Sequence, residues 1–422
     1  MTGLQAENGG QPLPSWRTLW GARLDILVFA GLLLLTVFLL RNPDLRGSWR
    51  AMLLVLGIVS LLACQLRRDW PWGRLNAEVR QLLTGGIGFV LIVAAASGLG
   101  ATVGSAQKQF FIDFLLPALI PWLLLNHVRD RRRWDFLMFA LALAACVLVA
   151  RNFIQYVQEW RALGGISNDV HLHRNYAVNL VFGLSFALWL ALTGKRTWLV
   201  ATGWILALLS VMMIVATGAR GAWLGAIAIV LVYVVLLRHR ALALAFVVAL
   251  AVATLAVFTV IPPELVLYKI YQGLDSSNRT GGTWGPAIDM IRDRPWLGYG
   301  FGDAVFHHEF NRRAPDMAQW TIKQSIGAHN FFLALAFAAG IPALILLLAV
   351  QGLGIWRVAR RLLAERLPSG RTGDFGISGV ALIAALSGVY LVIGNVENIN
   401  WHLLAFWFGM TLVWLQLNAD GK

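Results

Sequence analysis

Residues 327–350 read GAHNFFLALAFAAGIPALILLLAV, a short polar start followed by a long apolar run. An α-helix needs about 20 apolar residues to cross the hydrocarbon core of a bilayer, and the run from Phe331 onward has that length. The stretch therefore predicts a membrane-spanning helix. It also raises a question about function, because His329 and Asn330 stand where this helix begins.

The composition extends the prediction to the whole chain. Of the 422 residues, 58% are hydrophobic and 13% are charged, whereas about one quarter of a soluble protein is charged. We predict an all-α polytopic membrane protein with about twelve transmembrane helices. The apolar runs lie at 24–40, 51–66, 82–100, 103–125, 134–156, 175–193, 196–216, 219–237, 240–261, 327–350, 375–394 and 399–418.

The first apolar run, the two cysteines and the net charge all fit a polytopic membrane protein. The first run has no small-residue cleavage site, which indicates a retained helix and not a signal peptide. Cys64 and Cys146 both fall inside predicted spans, so they indicate neither a disulfide framework nor a zinc site. The net charge of +14 is concentrated in alternate connections between runs. The positive-inside rule explains this pattern with both termini in the cytoplasm, without nucleic acid as a partner.

This orientation divides the chain into three parts. Residues 1–261 carry helices 1–9, residues 262–326 form a loop domain on the outer face, and residues 327–422 carry helices 10–12. The loop is the largest extramembrane segment, so we expect short helices and functional residues in it. Pro286 lies near the start of a helical pattern that Pro295 should end.

Two further segments have structural interpretations. The stretch LGYGFGD at 297–303 has the glycines of a nucleotide fingerprint, but no strand–turn–helix unit surrounds it. We therefore predict a glycine-rich turn. The basic segment 355–374 is expected to be a loop that lies on anionic lipid at the inner face.

Arginines stand at the predicted outer boundary. Arg220, in the hairpin TGARGAWLG, either snorkels to the interface or holds a partner, because an ionisable group there is costly when alone. Arg279, in DSSNRTGGTW, is either a solvated loop residue or, with its hydroxyl and backbone neighbours, part of a phosphate site. Arg174 lies beside His171 and His173 in VHLHRNYA. We interpret the histidines as a hydrogen-bonded interfacial pair and not as a metal site.

Two interpretations of His329 remain open on these residues. A lone histidine usually packs and hydrogen-bonds at an interface. The positive end of the following helix, however, would favour a neutral imidazole that accepts a proton from a hydroxyl. Asn330 would hold the ring or a substrate. Ala336 and Gly340 share a helical face with His329, which leaves room for helix packing or a lipid chain, and Gly340 with Pro342 should bend the helix.

The hairpin TGARGAW, the loop NRTGGTWGPAIDMIRDRPWLGYGFGD and the closing GAHNFFLALAFAAG together resemble the bacterial O-antigen ligases, within the O-antigen ligase and polymerase superfamily. The residue-level signal lies in 217–340. The resemblance implies a GT-C-like glycosyltransferase in the bacterial inner membrane with a periplasmic active site. It implies transfer of polysaccharide from undecaprenyl diphosphate to a sugar hydroxyl of lipid A-core, without a metal, nucleotide or other cofactor.

The resemblance also implies roles for individual residues. Arg220 and Arg279 match the donor diphosphate-binding arginines, which would neutralise charge on the leaving group. His329 matches the essential histidine and would take the acceptor's proton, with inversion at the anomeric carbon. A histidine that only orients the acceptor fits equally well. Further candidates for substrate binding are Arg174, Asn330, Lys323, Arg292 and Asp113.

Other functions stay open at this point. A polymerase of the same superfamily is the first alternative, although one dominant outer loop just before the histidine favours a ligase. The short tail LQLNADGK after the last span disfavours a protein-glycosylating enzyme.

A secondary transporter of envelope precursors is the alternative from another class. It should show interrupted helices in two repeated halves, which are not evident. Asp113 could serve such a transporter as a proton-coupled site, or form an ion pair with Lys108. A structural scaffold would require none of Arg220, Arg279 and His329. Glu397, in GNVENINWH, is expected to bond to helix-end amides.

Overall fold

The computed structural model describes residues 16–41, 48–102, 104–162, 176–217, 219–238, 243–244, 246–248, 278–369 and 373–419. Helices account for most of these residues, and no strand occurs among them. The helices are α1 (Trp16–Arg41), α2 (Ser48–Arg67), α3 (Ala77–Leu99), α4 (Ser105–Gln109), α5 (Leu119–His127), α6 (Arg131–Ala162), α7 (Ala177–Thr193), α8 (Thr197–Ala216), α9 (Arg220–Leu237), α10 (Trp284–Asp293), α11 (Asp303–Arg313), α12 (Phe331–Ser369), α13 (Asp374–Leu386) and α14 (Trp401–Ala419). The π-helical segments are Phe110–Leu115, Asn278–Thr283 and Ser387–Val392.

The prediction of an all-α polytopic membrane protein is confirmed. Within the described part of the chain, 9 helices are long and apolar enough to cross a membrane, and Ala177–Thr193 is a shorter apolar helix. The predicted run 240–261 lies almost entirely outside the described residues. The spanning candidates are Arg17–Leu39, Ser48–Arg67, Ala77–Leu99, Ser105–His127, Arg131–Glu159, Thr197–Ala216, Arg220–Leu237, Phe331–Glu365 and Asp374–Asn395.

Small residues let neighbouring helices approach closely. Helix α1 packs on α2 and α6, and α7 packs on α8. A Cβ atom on Gly31 of α1 would lie 2.4 Å from Leu56 of α2, and one on Gly203 of α8 would lie 2.3 Å from the backbone nitrogen of Ala191. Glycine at these positions therefore permits the tight backbone contacts that stabilise helix pairs in lipid.

Helix α12 is longer than the sequence predicted. The expectation of a loop over 355–374 is wrong for most of that segment, because the helix continues to Ser369. Arg357 donates to the backbone carbonyl of Glu78, and Arg361 donates to the Glu78 carboxylate over 2.6 Å. These bonds hold the end of α12 against the start of α3, so the basic residues have partners within the protein.

The N-terminal part of α12 is interrupted at Gly340, as the sequence predicted. Gly340 has φ 78° and ψ 172°, which are not helical values. The break leaves carbonyls free of intrahelical bonds, and two of them accept from the preceding loop. Tyr299 N donates to Phe337 O over 2.9 Å, and Gly300 N donates to Ala338 O over 3.0 Å. The loop backbone therefore completes the hydrogen bonding of α12.

The stretch 297–303 is a turn, in agreement with the prediction. Gly298, Gly300 and Gly302 have φ values of 64°, 96° and 134°. Residues with a Cβ rarely adopt such values, which explains the spacing of these glycines. At Gly298 a Cβ would also lie 2.3 Å from Phe337 O.

The loop before α12 has its own buried cluster. Helix α10 lies where the sequence predicted it, with Pro286 in its first turn and Pro295 after its end. Tyr299 stacks on Phe337 of α12 with ring centroids 4.8 Å apart, and Phe310 lies 4.9 Å from Trp320. Phe306 of α11 lies 4.9 Å from Phe337, so aromatic packing joins α11 to α12. Residues of α10, such as Met290, belong to the same buried cluster.

A buried carboxylate stabilises α11. The Glu309 side chain is 2% exposed, and Arg312 donates to it over 2.8 Å. Burial opposes ionisation of Glu309, yet hydrogen bonds from Arg312 and Thr102, together with the charge of Arg313, lower its pKa. The charged form is therefore the one that the folded loop stabilises.

Candidate functional site

His329 lies in a strained turn directly before α12. Its φ is 46°, a left-handed value that residues other than glycine seldom adopt, and Gly327 has φ 93°. Such a conformation costs of the order of 1–3 kcal/mol and is found mainly where a functional geometry requires it. The His329 side chain is 43% exposed, so a ligand can reach the ring.

Asn330 fixes the position of this turn. Its Oδ1 accepts from the backbone nitrogens of Phe332 and Leu333, each at 3.0 Å, which caps the first turn of α12. Its Nδ2 donates to the carbonyl of Asn395 over 3.0 Å. The side chain that the sequence offered as a ring or substrate contact is therefore a helix cap, and substrate contact by Asn330 stays a prediction.

Glu397 contacts the imidazole of His329. Its Oε2 lies 3.3 Å from His329 Nδ1, and its side chain is partly exposed. We expected Glu397 to bond to helix-end amides, so this role was missed. Nothing in the local pattern GNVENINWH signals it, because the contact joins two distant connections of the chain.

Trp284 links Arg279 to His329. The guanidinium carbon of Arg279 lies 4.9 Å from the Trp284 ring centroid, a cation–π contact. Trp284 Nε1 donates to the backbone carbonyl of His329 over 3.4 Å. The structure therefore brings Arg279 and His329 into one neighbourhood through Trp284, and a phosphate-binding role for Arg279 stays a prediction.

Arg220 begins α9 close to the connection that carries Glu397. A Cβ on Gly221 would lie 2.4 Å from Val396, the residue before Glu397. Glycine at position 221 therefore permits this close packing against Val396. Arg279 thus contacts Trp284, which bonds to the His329 backbone. Arg220 is next to Gly221, which packs against the connection that carries Glu397.

The remaining candidates are placed as follows. Arg174, with His171 and His173, lies outside the described residues. Lys323 Nζ donates to the carbonyls of Ala314 and Met317 over 3.1 and 2.8 Å, so it stabilises the loop.

The last two candidates are both in ion pairs. Arg292 lies 3.6 Å from Asp289 on the exposed side of α10, and Asp113 accepts from Arg50. A part in substrate binding stays a prediction for Lys323, Arg292 and Asp113 alike.

Two cavities of about 570 Å³ each lie near this region. One is polar, and its wall includes Gly327, Ala328 and Glu397. The other is almost entirely apolar and lies among α2, α3, α5, α12 and α14. Trp401 lines both. The polar cavity next to the His329 turn and the apolar cavity between helices therefore adjoin at Trp401.

These features define a class of protein, a multi-pass membrane protein in which a partly exposed histidine lies directly before a spanning helix. Comparisons with known proteins show what the chain is similar to. Residues 205–348 match the family model described as O-antigen ligase, and that range contains Arg220, Arg279 and His329.

A relative supports the same family. The chain is 26% identical over 291 residues to the O-antigen ligase of Salmonella typhimurium, covering 68% of this chain and 70% of the relative. The resemblance to O-antigen ligases is thereby confirmed. It supports a ligase-type, glycosyl-transferring role in lipopolysaccharide O-antigen processing.

Proposed function

We propose that the protein is an O-antigen ligase that transfers polysaccharide from undecaprenyl diphosphate to a sugar hydroxyl of lipid A-core. The observation that carries the proposal is the arrangement around His329. Glu397 contacts its ring, and Trp284, on which Arg279 stacks, donates to its backbone carbonyl. The same segment matches the O-antigen ligase family model.

In this proposal Glu397 orients the imidazole through Nδ1. Nε2 is then directed to the acceptor hydroxyl and takes its proton as the oxygen attacks the anomeric carbon. The bond between that carbon and the diphosphate oxygen breaks, and the lipid diphosphate leaves with the bonding electrons. A single displacement of this kind inverts the anomeric configuration. His329 then releases the proton to solvent.

The arginines act on the leaving group. Charge grows on the diphosphate as the bond breaks, and fixed cations stabilise a developing anion more than the ground state. Arg279 is pre-oriented by stacking on Trp284, which suits planar recognition of phosphate oxygens. Arg220 is placed at the first turn of α9, beside the connection that holds Glu397.

The apolar cavity suits the donor's lipid chain. Its walls are formed by side chains such as Phe89, Leu119, Leu347 and Trp401. This surface is as apolar as the bilayer interior in which the chain otherwise lies, so the chain can enter the cavity without exposing apolar surface to water. The apolar cavity adjoins the polar one at Trp401, which lines both. We expect the lipid chain to lie in the apolar cavity, with its diphosphate near Arg279 and His329.

We place this site on the periplasmic side of the bacterial inner membrane, with both termini in the cytoplasm. The support is the excess of arginine and lysine in the connections at the opposite membrane face. The donor, the acceptor and the surrounding membrane lipids are then all present where the site opens.

Deletion of the gene in its host tests the proposal. Envelope glycolipids are separated by gel and probed for lipid A-core and for lipid-linked polymer. We expect the polymer ladder on lipid A-core to disappear while long undecaprenyl-linked polymer accumulates. The intact protein and a His308→Ala control should restore the ladder, and His329→Ala should not.

Other patterns would contradict the proposal. Donor stalled at a single repeat would indicate a polymerase. An unchanged glycolipid pattern would favour the transporter. Restoration of the ladder by His329→Ala at normal protein level would exclude the proposed base.

A further inference from the structure

The polar cavity beside His329 has side chains that the transfer step above does not use. Its wall includes Asp303 at the start of α11, His307 one turn later, and Trp401 at the start of α14. Its volume of about 570 Å³ falls in the range of about 300–1,000 Å³ that is usual for small-molecule sites.

The charges in the cavity do not suit a phosphate. Among the described residues that line it, Arg50 supplies the one arginine or lysine side chain, and Arg50 donates to Asp113. Asp303 and Glu397 add two further carboxylates. Carboxylates only accept hydrogen bonds when ionised, so this wall is complementary to a ligand rich in hydroxyl donors.

The imidazoles of His307 and His402 also suit a ligand rich in hydroxyl groups. His307 Nδ1 is bonded to Ser325 Oγ at 2.8 Å, which fixes the ring and leaves the bond at Nε2 to another partner. His402 also lines the cavity, is 8% exposed, and packs on Trp49 with ring centroids 5.6 Å apart. Its Nε2 has no hydrogen-bond partner among the described residues. A buried polar atom of this kind is costly unless a ligand or water satisfies it.

His329 is not among the residues that line the cavity, although Glu397, which contacts its ring, is. Neither Arg220 nor Arg279 lines it, whereas Gly327, Ala328 and Glu397 do. In the proposed reaction the diphosphate lies with the arginines. Because Glu397 lies at Nδ1 of His329 while Nε2 takes the proton of the attacking hydroxyl, the cavity is left for a sugar unit next to the one that carries that hydroxyl.

We propose that this cavity is the acceptor subsite and takes an uncharged, hydroxyl-bearing sugar unit of the acceptor glycan. Asp303 and His307 bond to its hydroxyls, His402 closes the buried end, and Trp401 packs on the sugar face. The inference rests on the proposed ligase function and deepens it, because it names the residues that bind the acceptor sugar.

The first test is steady-state transfer by the purified full-length protein. The donor is undecaprenyl-linked polymer from the deletion strain, and the acceptor is its polymer-free lipopolysaccharide. We expect Asp303→Asn and His307→Ala each to raise the KM for acceptor about tenfold, the effect of one lost hydrogen bond to a charged or buried group, with the KM for donor unchanged. His308→Ala, the exposed neighbour, is the matched control and should behave as wild type.

The second test does not need turnover. The delipidated core oligosaccharide is added to the same proteins, and its binding is measured by saturation-transfer NMR. Wild type and His308→Ala should bind it, and Asp303→Asn and His307→Ala should bind it about tenfold more weakly.

The two tests distinguish failure of the ligase function from failure of the acceptor subsite. An inactive wild type that still binds the oligosaccharide through Asp303 would contradict the ligase function and keep the sugar subsite. An active wild type whose variants keep the acceptor KM, or change the donor KM instead, would overturn the acceptor subsite alone. Absence of oligosaccharide binding to wild type would also overturn it.

Discussion

Oε2 of Glu397 lies 3.3 Å from Nδ1 of His329, although the two residues are 68 positions apart in the chain. The contact orients an imidazole whose backbone is held in a left-handed conformation. A base that is oriented through one nitrogen presents the other to a substrate, which is the geometry that general base catalysis requires.

Glu397→Gln tests this orientation. Glutamine keeps the size of the side chain but loses the charge that stabilises the imidazolium formed during transfer. We expect kcat to fall by at least about tenfold, less than the roughly 10²–10⁴-fold loss expected when the base itself is removed in His329→Ala. Glu365→Gln, at the distant end of α12, is the control. An unchanged kcat in Glu397→Gln would show that the contact has no part in catalysis.

Arg279→Lys tests the arginine stacked on Trp284. Lysine keeps the charge, but it lacks the planar guanidinium group that stacks on the indole ring and donates to two phosphate oxygens at once. The KM for the donor should rise about tenfold, a loss equivalent to about 1.4 kcal/mol. Arg132→Lys, in another cation–π pair with Phe136, should leave it unchanged. Equal donor KM values in both variants would remove Arg279 from the donor site.

Gly340→Ala tests the break in α12. A Cβ at this position would lie 2.2 Å from Trp296 O, and the φ of 78° disfavours any other residue. We expect a loss of the order of 1–3 kcal/mol in stability, measured as a lower temperature of thermal unfolding in detergent. Gly352→Ala lies in the same helix with open space around it and should match or exceed wild type. Equal unfolding temperatures for wild type and Gly340→Ala would contradict the assigned conformation.

Asp25→Asn tests a buried ionic cluster that joins α1, α2, α5 and α6. Asp25 accepts from Arg67 at 2.5 Å and pairs with Arg133 and His127 at 2.7 Å each, and His127 Nε2 lies 2.8 Å from Ser60 Oγ. Removing the charge leaves two arginines without their carboxylate. The expected cost is about 3–5 kcal/mol.

The measurement for this cluster is again thermal unfolding of the purified protein. The control is Asp316→Asn, at an exposed position after α11, and it should unfold at the same temperature as wild type. If Asp25→Asn unfolds at the wild-type temperature, the cluster does not hold the four helices together.

The sequence predicted the elements of this protein better than their contacts. Apolar runs marked the spanning helices because lipid demands long apolar segments, and proline and glycine marked the ends of α10 and the break at Gly340. The continuation of α12 to Ser369 was missed, because Glu78 neutralises its arginines from the distant start of α3.

The same limit applies to the site. Unusual polar residues beside apolar runs pointed to Arg220, Arg279 and His329. Glu397 was assigned a different contact, and Trp284 was not recognised as a link, because both act through tertiary contacts that no local pattern encodes.

The most direct test of the central claim uses the intact protein and His329→Ala in lipid vesicles with donor and polymer-free lipopolysaccharide, with and without a metal chelator. Lipopolysaccharide that carries the transferred polymer (capped lipopolysaccharide) and free undecaprenyl diphosphate are both quantified over time. We predict that the intact protein forms them in equal amounts with or without chelator, and that His329→Ala forms neither. Capped product without released undecaprenyl diphosphate, or equal rates for the two proteins, would contradict the account.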